Sequence, residues 1–512
     1  MASASRKPVI TMPVKLIRVM EKARQRRLER MKTFRQIYGV DRRIAPVVIS
    51  CRNHSLNHFA GQRYPIDRLL LATENWKKKK CDGDFFTIIT ARKIVEGDDD
   101  PREEYPFDEM SKYLSRSVLQ AIDGMGLAKM TLIQRKAIPP IVSGRHTLIG
   151  SEVGSGKTTA YLAPIIERLL RARKIDSEPA AGCPRALILS PTRELSQQLM
   201  TVSRRILDHT PPLDLAMIRS GDGSVYATDL ENPGRDLLIA TIGAALRYKK
   251  LGALKFDDLR HVIVDEADAL LQESVRDGLF NILTSIKFNK TAGACSKDGA
   301  QLILVGSTIP DDLDQLIDPL IGVANLLQIT NNSIHRLQPF LRHRFLRLSY
   351  EMAPEALLSH VKRDYENKRR VAVFVRDAGT CEWLEHFLRQ AGVSIVGLRG
   401  SMSDEDRARS YQRIIDGDFS VMVATDTAAL GLDTRYLDHV INYQLPYTIG
   451  GYLRRAGRLG RLSSDCGRVG LVTTFVTNFW EVDLVQELER SVRLNLPLNV
   501  NDIVKDRRDY EE

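Results

Sequence analysis

Short apolar runs alternate with helical patterns over two long stretches of the 512-residue chain. The runs are rich in leucine and β-branched residues, and each ends at a polar or glycine-rich turn. Buried parallel strands joined by crossover helices produce this pattern, with ligands at the carboxyl ends of the strands. We therefore predict two α/β domains of similar size that join near residues 330–343. The predicted strands are 147–150, 186–190, 237–240, 261–265 and 301–306, then 370–375, 394–398, 419–424, 437–442 and 468–475.

The first 100 residues have a different pattern. Residues 44–100 are mixed and irregular, and the run Glu96–Pro101 indicates an exposed loop and a domain boundary. Residues 13–32 favour a helix with proline in its first turn and an apolar stripe on one face. The basic remainder of that helix is typical of a solvated helix, and equally of a helix that lies on RNA.

Positive charge is concentrated in this N-terminal arm. The chain carries a formal charge of +11, and residues 1–43 alone hold 13 basic and 3 acidic residues. Residues 44–100 hold 9 and 8, and the rest of the chain holds 53 of each sign. Nucleic acid or an anionic surface is therefore a candidate partner for the arm. Residues 1–20 contain no acid, which is the charge bias of a mitochondrial transit peptide and also of an ordinary basic tail.

The composition excludes several classes of protein. A hydrophobic fraction of 43% with 27% charged residues is that of a folded protein rather than a disordered one. No stretch of 18 uncharged apolar residues occurs, so we expect no membrane-spanning helix. Six scattered cysteines without a CxxC pair argue against a disulfide framework and against structural zinc.

A glycine-rich segment after the first predicted strand has the pattern of a phosphate-binding loop. Residues 151–158 read SEVGSGKT, which is GxxxxGK[ST] with serine at the first position. Its glycines let backbone N–H groups turn toward phosphates, and the following helix adds positive potential. Lys157 would reach the β- and γ-phosphates, and Thr158 would supply a hydroxyl to Mg²⁺. The same loop contributes Gly154, Ser155 and Gly156 to the predicted nucleotide site.

Two carboxylates end the predicted strand 261–265. Asp265 suits a Mg²⁺ ligand held through water, and the adjacent Glu266 can polarise the attacking water. A solvated acidic turn would be the simpler interpretation for this segment alone. Together with the phosphate loop, it indicates catalysis.

Several further motifs make the chain resemble a DEAD-box RNA helicase. Residues 265–268 read DEAD, and residues 191–195 (PTREL) match the family's first RNA-contact motif. Residues 426–433 (DTAALGLD) and 455–461 (RAGRLGR) match the ribose-binding and arginine-finger motifs. Other segments, including N-terminal ones, resemble one subfamily, the animal mitochondrial DEAD-box helicases linked to assembly of the large mitoribosomal subunit.

The resemblance implies an α/β fold of two tandem RecA-like domains, in which helices flank parallel sheets and the domains close on ATP, Mg²⁺ and single-stranded RNA. By position, Phe107 would stack on adenine, Gln134 would read it, and Asp433 would hold the ribose. Arg458 and Arg461 would be arginine fingers. The implied boundaries are a basic N-terminal extension at 1–100, domain 1 at 101–332, a linker at 333–343, domain 2 at 344–500 and a tail at 501–512.

The same resemblance implies an RNA site and a coupling network. RNA contacts would go mainly to phosphates and 2′-hydroxyls, and would therefore not be sequence-specific. The coupling residues would be Ser307, Thr308 and Asp426. The RNA-binding candidates are Arg193, Gly221, Gly223, Thr241, Arg376, Arg407 and Thr425.

The chain departs from the family pattern at five positions on this network. Gly306, Ala244, Leu430, Arg454 and Asp404 stand where the family normally has Ser, Arg, Arg, His and Gln. Loss of charged or hydrogen-bonding groups at a domain interface would weaken closure. We therefore predict RNA-dependent ATP hydrolysis with weak duplex unwinding.

Two functions follow from the sequence. The first is an ATP-dependent RNA helicase or remodeller that acts on large-subunit rRNA in the mitochondrial matrix, together with mitoribosomal assembly-intermediate proteins. We expect this protein to be a monomer, and an additional nuclear pool stays open. The second is a structural pre-ribosome assembly factor that uses the helicase fold as an RNA clamp with little or no turnover.

Overall fold

The structure is a computed structural model that describes most of the chain from residue 45 onward. Among the described residues, no helix is long and apolar enough to cross a membrane. The described residues are 45–64, 69–89, 103–176, 178–218, 235–271, 273–290, 299–310, 312–331, 333–338, 341–426, 436–459 and 469–499, with single positions 22, 25, 26, 29, 33, 36, 37, 39, 430, 432 and 434.

All ten predicted strands are present, with ends within two residues of the predicted ones. The strands of the described ranges, numbered along the chain, are β1 (Val47–Cys51), β2 (His58–Phe59), β3 (Phe85–Ile89), β4 (Glu104–Pro106), β5 (Lys129–Thr131), β6 (Thr147–Gly150), β7 (Ala186–Ser190), β8 (Leu215–Ile218), β9 (Leu237–Thr241), β10 (His261–Val264), β11 (Gln301–Gly306), β12 (Leu327–Thr330), β13 (Leu341–Arg347), β14 (Val371–Val375), β15 (Ile395–Leu398), β16 (Val421–Thr425), β17 (His439–Asn442) and β18 (Gly470–Val476).

Helices connect most of these strands, as the alternating pattern predicts. Short 3₁₀ turns occur at His54–Leu56, Lys79–Cys81, Phe107–Met110, Val323–Asn325 and Tyr350–Met352. The α-helices within the described ranges are α1 (Arg116–Gly124), α2 (Leu132–Val142), α3 (Lys157–Arg173), α4 (Arg193–Leu207), α5 (Ile242–Lys250), α6 (Ala267–Leu270), α7 (Glu273–Leu283), α8 (Leu313–Ile321), α9 (Ala353–Glu366), α10 (Ala378–Gln390), α11 (Asp404–Ile415), α12 (Ile449–Ala456) and α13 (Phe479–Leu494).

The first domain is built on a parallel sheet of seven strands. The order across the sheet is β12-β6-β11-β10-β7-β9-β8, and each neighbouring pair is parallel. Strands β6, β7, β9, β10 and β11 are buried along their whole length. Helices cover both faces of such a sheet, which is why these strands are continuous apolar runs. Strands β4 and β5 form a separate antiparallel pair.

The second domain has a sheet of nine strands. Six of them, in the order β15-β16-β14-β17-β18-β13, are parallel. The sheet then continues with β3, β1 and β2, and each of these three pairs with its neighbour antiparallel. The carboxyl ends of the six parallel strands therefore meet at one edge of the sheet.

The N-terminal segment is part of this second sheet, which corrects the prediction of a separate extension at 1–100. Strand β3 pairs with β13 from Phe85 to Ile89. Its alternate side chains Phe86 and Ile88 are fully buried, and the Phe86 ring stacks on Phe345 at a centroid distance of 4.9 Å. Residues 44–100 were expected to be irregular, but those at 47–89 complete the core of the second domain.

Two buried charged side chains fasten the N-terminal segment to the second domain. Arg347 donates hydrogen bonds to the carbonyl oxygens of Trp76 and Thr477, both at 2.8 Å. Glu489 accepts from the backbone N–H groups of Ala72 and Thr73 at 2.8 and 3.2 Å. Buried polar groups need such partners, so these bonds hold the segment in one register.

The connection between the domains is shorter than the predicted linker at 333–343, because β13 already begins at Leu341. The described linker residues contact both domains. Ser333 donates to Glu152 Oε2 at 2.7 Å, and the Ile309 N–H donates to His335 Nε2 at 2.9 Å. The Leu498 N–H donates to the His335 carbonyl at 2.7 Å.

Candidate functional site

The phosphate loop connects β6 to α3, as the sequence predicts. Gly154 and Gly156 have φ angles of +86° and +88°, in the left-handed region where glycine is favoured. A Cβ atom on Gly156 would lie 2.5 Å from Gln134 Nε2. Lys157 is the first residue of α3, and its Nζ donates to the carbonyl oxygens of Ser151 and Glu152 at 2.6 and 2.8 Å. The ammonium group therefore lies inside the loop that it would serve.

A capping box at the start of α2 holds the phosphate loop in place through hydrogen bonds. Thr131 and Gln134 cap the start of α2, and Gln134 Oε1 accepts from the Thr131 N–H at 2.8 Å. Gln134 Nε2 donates to the Gly156 carbonyl at 3.2 Å, and the Thr131 hydroxyl donates to the Ser155 carbonyl at 2.8 Å. Both ends of the Gln134 amide are thus bound within the protein. Adenine would have to exchange for these partners.

Phe107 lies in the 3₁₀ turn that follows β4. Its side chain is 7% exposed and packs in the core of the first domain with Met110 and Ile133. The adenine-stacking face predicted for Phe107 is therefore mostly covered.

The acidic pair lies at the carboxyl end of β10, near the phosphate loop. The buried Tyr161 hydroxyl donates to Asp265 Oδ2 at 2.8 Å, and the Glu266 N–H donates to Asp265 Oδ1 at 2.9 Å. Burial and the neighbouring Glu266 carboxylate raise the pKa of Asp265 to about 7. Glu266 has a left-handed φ of +50°, and its buried Oε2 atom has no hydrogen-bond partner within the described residues.

The last acid of this motif joins the two domains. Asp268 Oδ2 accepts from the hydroxyls of Ser307 and Thr308, both at 2.9 Å. The same oxygen accepts from Arg454 of the second domain at 3.2 Å. The coupling residues predicted on the first domain therefore act on one buried carboxylate.

The second domain brings the segment of Arg458 to this site. The segment of Arg458 touches the phosphate loop, since a Cβ atom on Gly457 would lie 2.7 Å from Val153 Cβ. Arg458 is 5% exposed, and its Nη1 donates to the Leu432 carbonyl at 3.0 Å. The predicted ribose ligand Asp433 and the second finger Arg461 lie outside the described residues.

Arg455 holds the predicted coupling residue Asp426. Its guanidinium donates to the two Asp426 carboxylate oxygens at 2.5 and 2.7 Å and to the Gln444 carbonyl at 2.6 Å. The side chain is 2% exposed, so the ion pair is strongly held. Sequence reasoning did not assign Arg455 a role.

A cleft of about 470 Å³ separates the two domains on another side. It brings together Arg193, Thr241 and Arg407 of the predicted RNA set. Each cation already has a carboxylate across the domain boundary. Arg193 pairs with Asp404 at 2.6 Å, and Arg407 binds both oxygens of Glu194 at 2.5 and 2.9 Å.

The remaining RNA candidates lie elsewhere. Thr425 ends β16 and is 8% exposed. Arg376 follows β14, and its guanidinium lies over the rings of Tyr447 and Trp480. Neither Thr425 nor Arg376 lines the cleft. Gly221 and Gly223 lie outside the described residues.

The sequence analysis also did not predict a role for Tyr161, although its spacing from Lys157 indicates one. It lies four residues after Lys157 on α3, so both side chains occupy one face of the helix. A tyrosine one turn after the phosphate-loop lysine can therefore reach an acid at the end of the neighbouring strand.

A segment of each domain matches a helicase family. Residues 131–316 match "DEAD/DEAH box helicase", and residues 352–463 match "Helicase conserved C-terminal domain". The mouse protein named Probable ATP-dependent RNA helicase DDX28 is 32% identical over 466 residues, covering 88% of this chain and 85% of that protein. This chain belongs to the DEAD-box helicase family. Family membership carries RNA-dependent ATPase and helicase activity.

Other DEAD-box proteins are similar over much of the chain. Human DDX28 is 31% identical over 504 residues, which cover 95% of this chain and 90% of that protein. SrmB of Escherichia coli is 32% identical, covering 71% of this chain and 77% of SrmB. Among solved structures, S. cerevisiae Dbp5 bound to RNA and ADP BeF3 has a TM-score of 0.63 at 22% identity, covering 76% and 93%. Mss116 bound to ssRNA and AMP-PNP has 0.66 at 22%, covering 77% and 79%. These structures confirm the tandem RecA-like fold.

At three positions that depart from the DEAD-box pattern, a hydrogen bond or ion pair is still formed by the residue itself or by its neighbour. At Gly306 a Cβ atom would lie 2.9 Å from the Thr308 carbonyl, and the hydroxyl of the next residue, Ser307, bonds to Asp268. Arg454, in place of His, adds a charged donor to the same carboxylate.

Asp404, in place of Gln, likewise forms the ion pair with Arg193 across the domain boundary. The expectation that departures remove contacts between the domains is therefore wrong at positions 404 and 454, whereas the bond beside Gly306 lies within the first domain. Ala244 is fully buried in α5. The rate of duplex unwinding stays a prediction.

Proposed function

We propose that this protein is an ATP-dependent RNA remodeller that acts on large-subunit rRNA during mitochondrial ribosome assembly. The observation that carries the enzymatic part is the contact between the Arg458 segment and the phosphate loop. Arg458 of the second domain would exchange its Leu432 carbonyl partner to reach phosphates bound by the first domain. Phosphoryl transfer depends mainly on positioning and charge neutralisation, so a site divided in this way is active only when the domains are closed.

The residues of the site fit ATP with Mg²⁺. Glu266 Oε2 and Asp268 Oδ1 are buried oxygens without partners in the described part of the chain, and the loop glycines leave room for phosphate oxygens. Thr158 and, through water, Asp265 would hold the metal, which supplies positive charge to the phosphates when bound.

Protein groups would perform the remaining tasks. Lys157 would exchange its two carbonyl acceptors for phosphate oxygens, and Glu266 would orient the attacking water. Arg458 and Arg461 would stabilise charge that develops on the transferred group. Tyr161 would keep the Asp265 carboxylate in one orientation through its hydrogen bond.

The cellular part of the proposal rests on similarity and charge. The relatives named DDX28 align with 88–95% of this chain, including its N-terminal strands. The acid-free residues 1–20 have the charge bias of a mitochondrial transit peptide. We propose that the protein is a monomer in the mitochondrial matrix, where it contacts rRNA and assembly-intermediate proteins. A nuclear pool would be an additional location.

A second function, an RNA clamp with little turnover, has its own structural support. Lys157 and both arginines of the cleft already have partners within the protein. These pairs must break before a ligand can enter, which opposes ligand binding. A protein whose domains are held closed by its own ion pairs would hydrolyse ATP slowly.

One complementation experiment distinguishes the two functions. Cells that lack the protein would receive Lys157→Ala, a deletion of residues 1–43 with a substitute targeting sequence, or Lys174→Ala as a matched control. Lys174 is exposed at the opposite end of the same helix. A remodeller requires Lys157, so that variant should lose ATPase activity by about 100-fold or more and fail to restore large subunits in sedimentation profiles.

The clamp makes the opposite prediction. Lys157→Ala would then restore large subunits fully, and the deletion of residues 1–43 would not. That outcome contradicts the remodelling mechanism.

A further inference from the structure

The carboxyl edge of the second sheet carries a cluster of aromatic and basic side chains, of which the sequence analysis predicts only Arg376 as an RNA contact. We call it the edge platform. Its members are Lys77, Lys78, Arg376, Tyr447, Phe479 and Trp480.

The sheet topology places the edge platform on the same edge as the RNA cleft. Gly400 and Met402, which line the cleft, follow β15. Arg376 follows β14, Tyr447 follows β17 and Phe479 follows β18. Across the order β15-β16-β14-β17-β18, four strand spacings of roughly 4.8 Å give a track about 19 Å long.

A stack of rings and one guanidinium forms the centre of the platform. The Tyr447 and Trp480 rings are 5.6 Å apart with an interplanar angle of 21°. The Arg376 guanidinium lies 5.0 Å from each ring centroid, and buried Glu481 lies 3.8 Å from it. Cation–π contacts and this ion pair fix the orientation of the rings.

Two of the aromatic side chains are open to solvent. Phe479 is 50% exposed and Tyr447 is 37% exposed. The Tyr447 ring is held in place by its stack on Trp480, and an exposed ring that is held in one orientation is suited to stacking on a flat ligand.

The lysines are held next to these rings. The 2.8 Å bonds from Arg347 to the carbonyls of Trp76 and Thr477 join the two chain segments. Lys77 Nζ lies 2.7 Å from Asp483 Oδ1, and Asp483 is one helical turn after Phe479 on the same face of α13.

Cations and acids are interspersed at this corner of the molecule, where Lys77, Lys78 and Lys80 are exposed. Of the nearby acids, Asp483 is paired with Lys77 at 2.7 Å, Asp84 is paired with Arg52 at 3.6 Å, Glu481 is buried against Arg376, and Asp82 is exposed. Among the described residues, neither Lys78 nor Lys80 is paired with an acid, so these two lysines can bind an anionic ligand, and acidic protein surfaces without bases would leave the rings unused.

We propose that the edge platform binds single-stranded RNA that leaves the cleft. Exposed rings stack on bases of any sequence, and lysines bind the phosphates between them. The proposal rests on RNA binding by the cleft, and it adds a second contact up to about 19 Å away along the same sheet edge.

RNA length tests the proposal. Binding of fluorescent oligouridylates of about six and about 20 nucleotides would be measured with a non-hydrolysable ATP analogue, since single-strand sites span several nucleotides. The full-length protein should bind the long RNA more tightly than the short one. Phe479→Ala with Tyr447→Ala should weaken long-RNA binding by about tenfold, a typical loss for one stacked base, and leave short-RNA binding unchanged.

Two further variants sharpen this test. Lys77→Ala with Lys78→Ala should reduce the salt dependence of long-RNA binding by one or two phosphate contacts. Trp383→Ala is the matched control, because Trp383 is 48% exposed and stacks on Phe387 on α10, outside the platform. It should bind both RNAs as the unmodified protein does, and thermal melting would verify folding of every variant.

The outcomes separate this proposal from the proposed function. If short RNA neither binds nor stimulates ATP hydrolysis in the unmodified protein, RNA binding by the cleft fails. If short RNA binds but the platform variants keep the full length dependence, the edge platform does not bind RNA and the proposal fails.

Discussion

At the scale of single residues, Asp268 is the point where the ATP site meets the second domain. One of its oxygens accepts three hydrogen bonds, from Ser307, Thr308 and Arg454. The motif contains this aspartate, and the resemblance predicts Ser307 and Thr308 as coupling residues. Neither prediction says that both hydroxyls and Arg454 meet at one Asp268 oxygen, because that depends on how the two domains pack.

Arg454 should determine how strongly ATP hydrolysis depends on closure. Arg454→Ala removes a donor from a carboxylate that is 5% exposed. A hydrogen bond to a charged group contributes about 1.5–3 kcal/mol, so RNA-stimulated kcat should fall by about tenfold or more. The KM for ATP should change much less, since within the described residues the side-chain hydrogen bond of Arg454 goes to Asp268 and not to the phosphate loop. Steady-state ATPase assays with saturating RNA measure both quantities.

Two companions control the Arg454 experiment. Arg454→His, which restores the family residue, should recover part of kcat because imidazole can still donate. Arg409→Ala removes an exposed arginine from the same domain, 73% exposed in its ion pair with Asp406, and should have no effect. Equal RNA stimulation in Arg454→Ala and the unmodified protein would refute the coupling role.

At the scale of elements, the sequence pattern predicts the parallel strands but does not predict the N-terminal strands. Strands such as β7 and β10 are buried on both faces, so they are apolar runs that local pattern reveals. Strand β3 reads FFTII and has the same composition, but its partner β13 lies some 250 residues away. Local pattern carries no information on such a pairing, and the segment was therefore interpreted as irregular.

Phe86→Ala should destabilise the second domain. The ring is fully buried between Trp76 and Phe345, and loss of such a side chain costs about 3–5 kcal/mol. All three tryptophans of the chain, at 76, 383 and 480, lie in this domain, so tryptophan fluorescence reports its unfolding in urea. The fluorescence midpoint should shift to lower urea concentration.

The neighbouring residue provides the control. Phe85 lies on the opposite face of the same strand and is only partly buried, so Phe85→Ala should shift the midpoint less. Equal shifts for both variants would mean that the sheet does not depend on the buried face of β3.

At the scale of the whole molecule, the first domain is inserted between two parts of the second. Strands β1 to β3 and β13 to β18 belong to one sheet, and strands β4 to β12 of the first domain lie between them along the chain. The two domains are therefore joined by two connections, near 90–102 and near 331–340. A double connection limits how far the domains can separate when they open.

A cut in the first connection should leave the protein assembled. A protease site inserted between residues 96 and 97 would be cleaved in the purified protein. Strand β3 and the Arg347 and Glu489 bonds should hold residues 1–96 to the second domain, so both fragments should elute together in size-exclusion chromatography.

Strong denaturant provides the reference for that experiment, because the fragments must separate once the sheet unfolds. Release of the N-terminal fragment under native conditions would contradict its place in the sheet. The cut should also let the two domains separate further when they open. RNA-stimulated ATPase assays of the cleaved protein would then give a higher KM for RNA.

The sequence by itself determined the two α/β domains, the phosphate loop and the acidic motif. Each of these is a contiguous stretch whose spacing and apolar runs are set by local backbone chemistry. Only the tertiary structure decided which distant groups meet: Arg454 with Asp268, Arg193 with Asp404, and β3 with β13. The physical reason is that such pairs form where packing brings two surfaces together, and many pairings of charges and strands are compatible with the same local pattern.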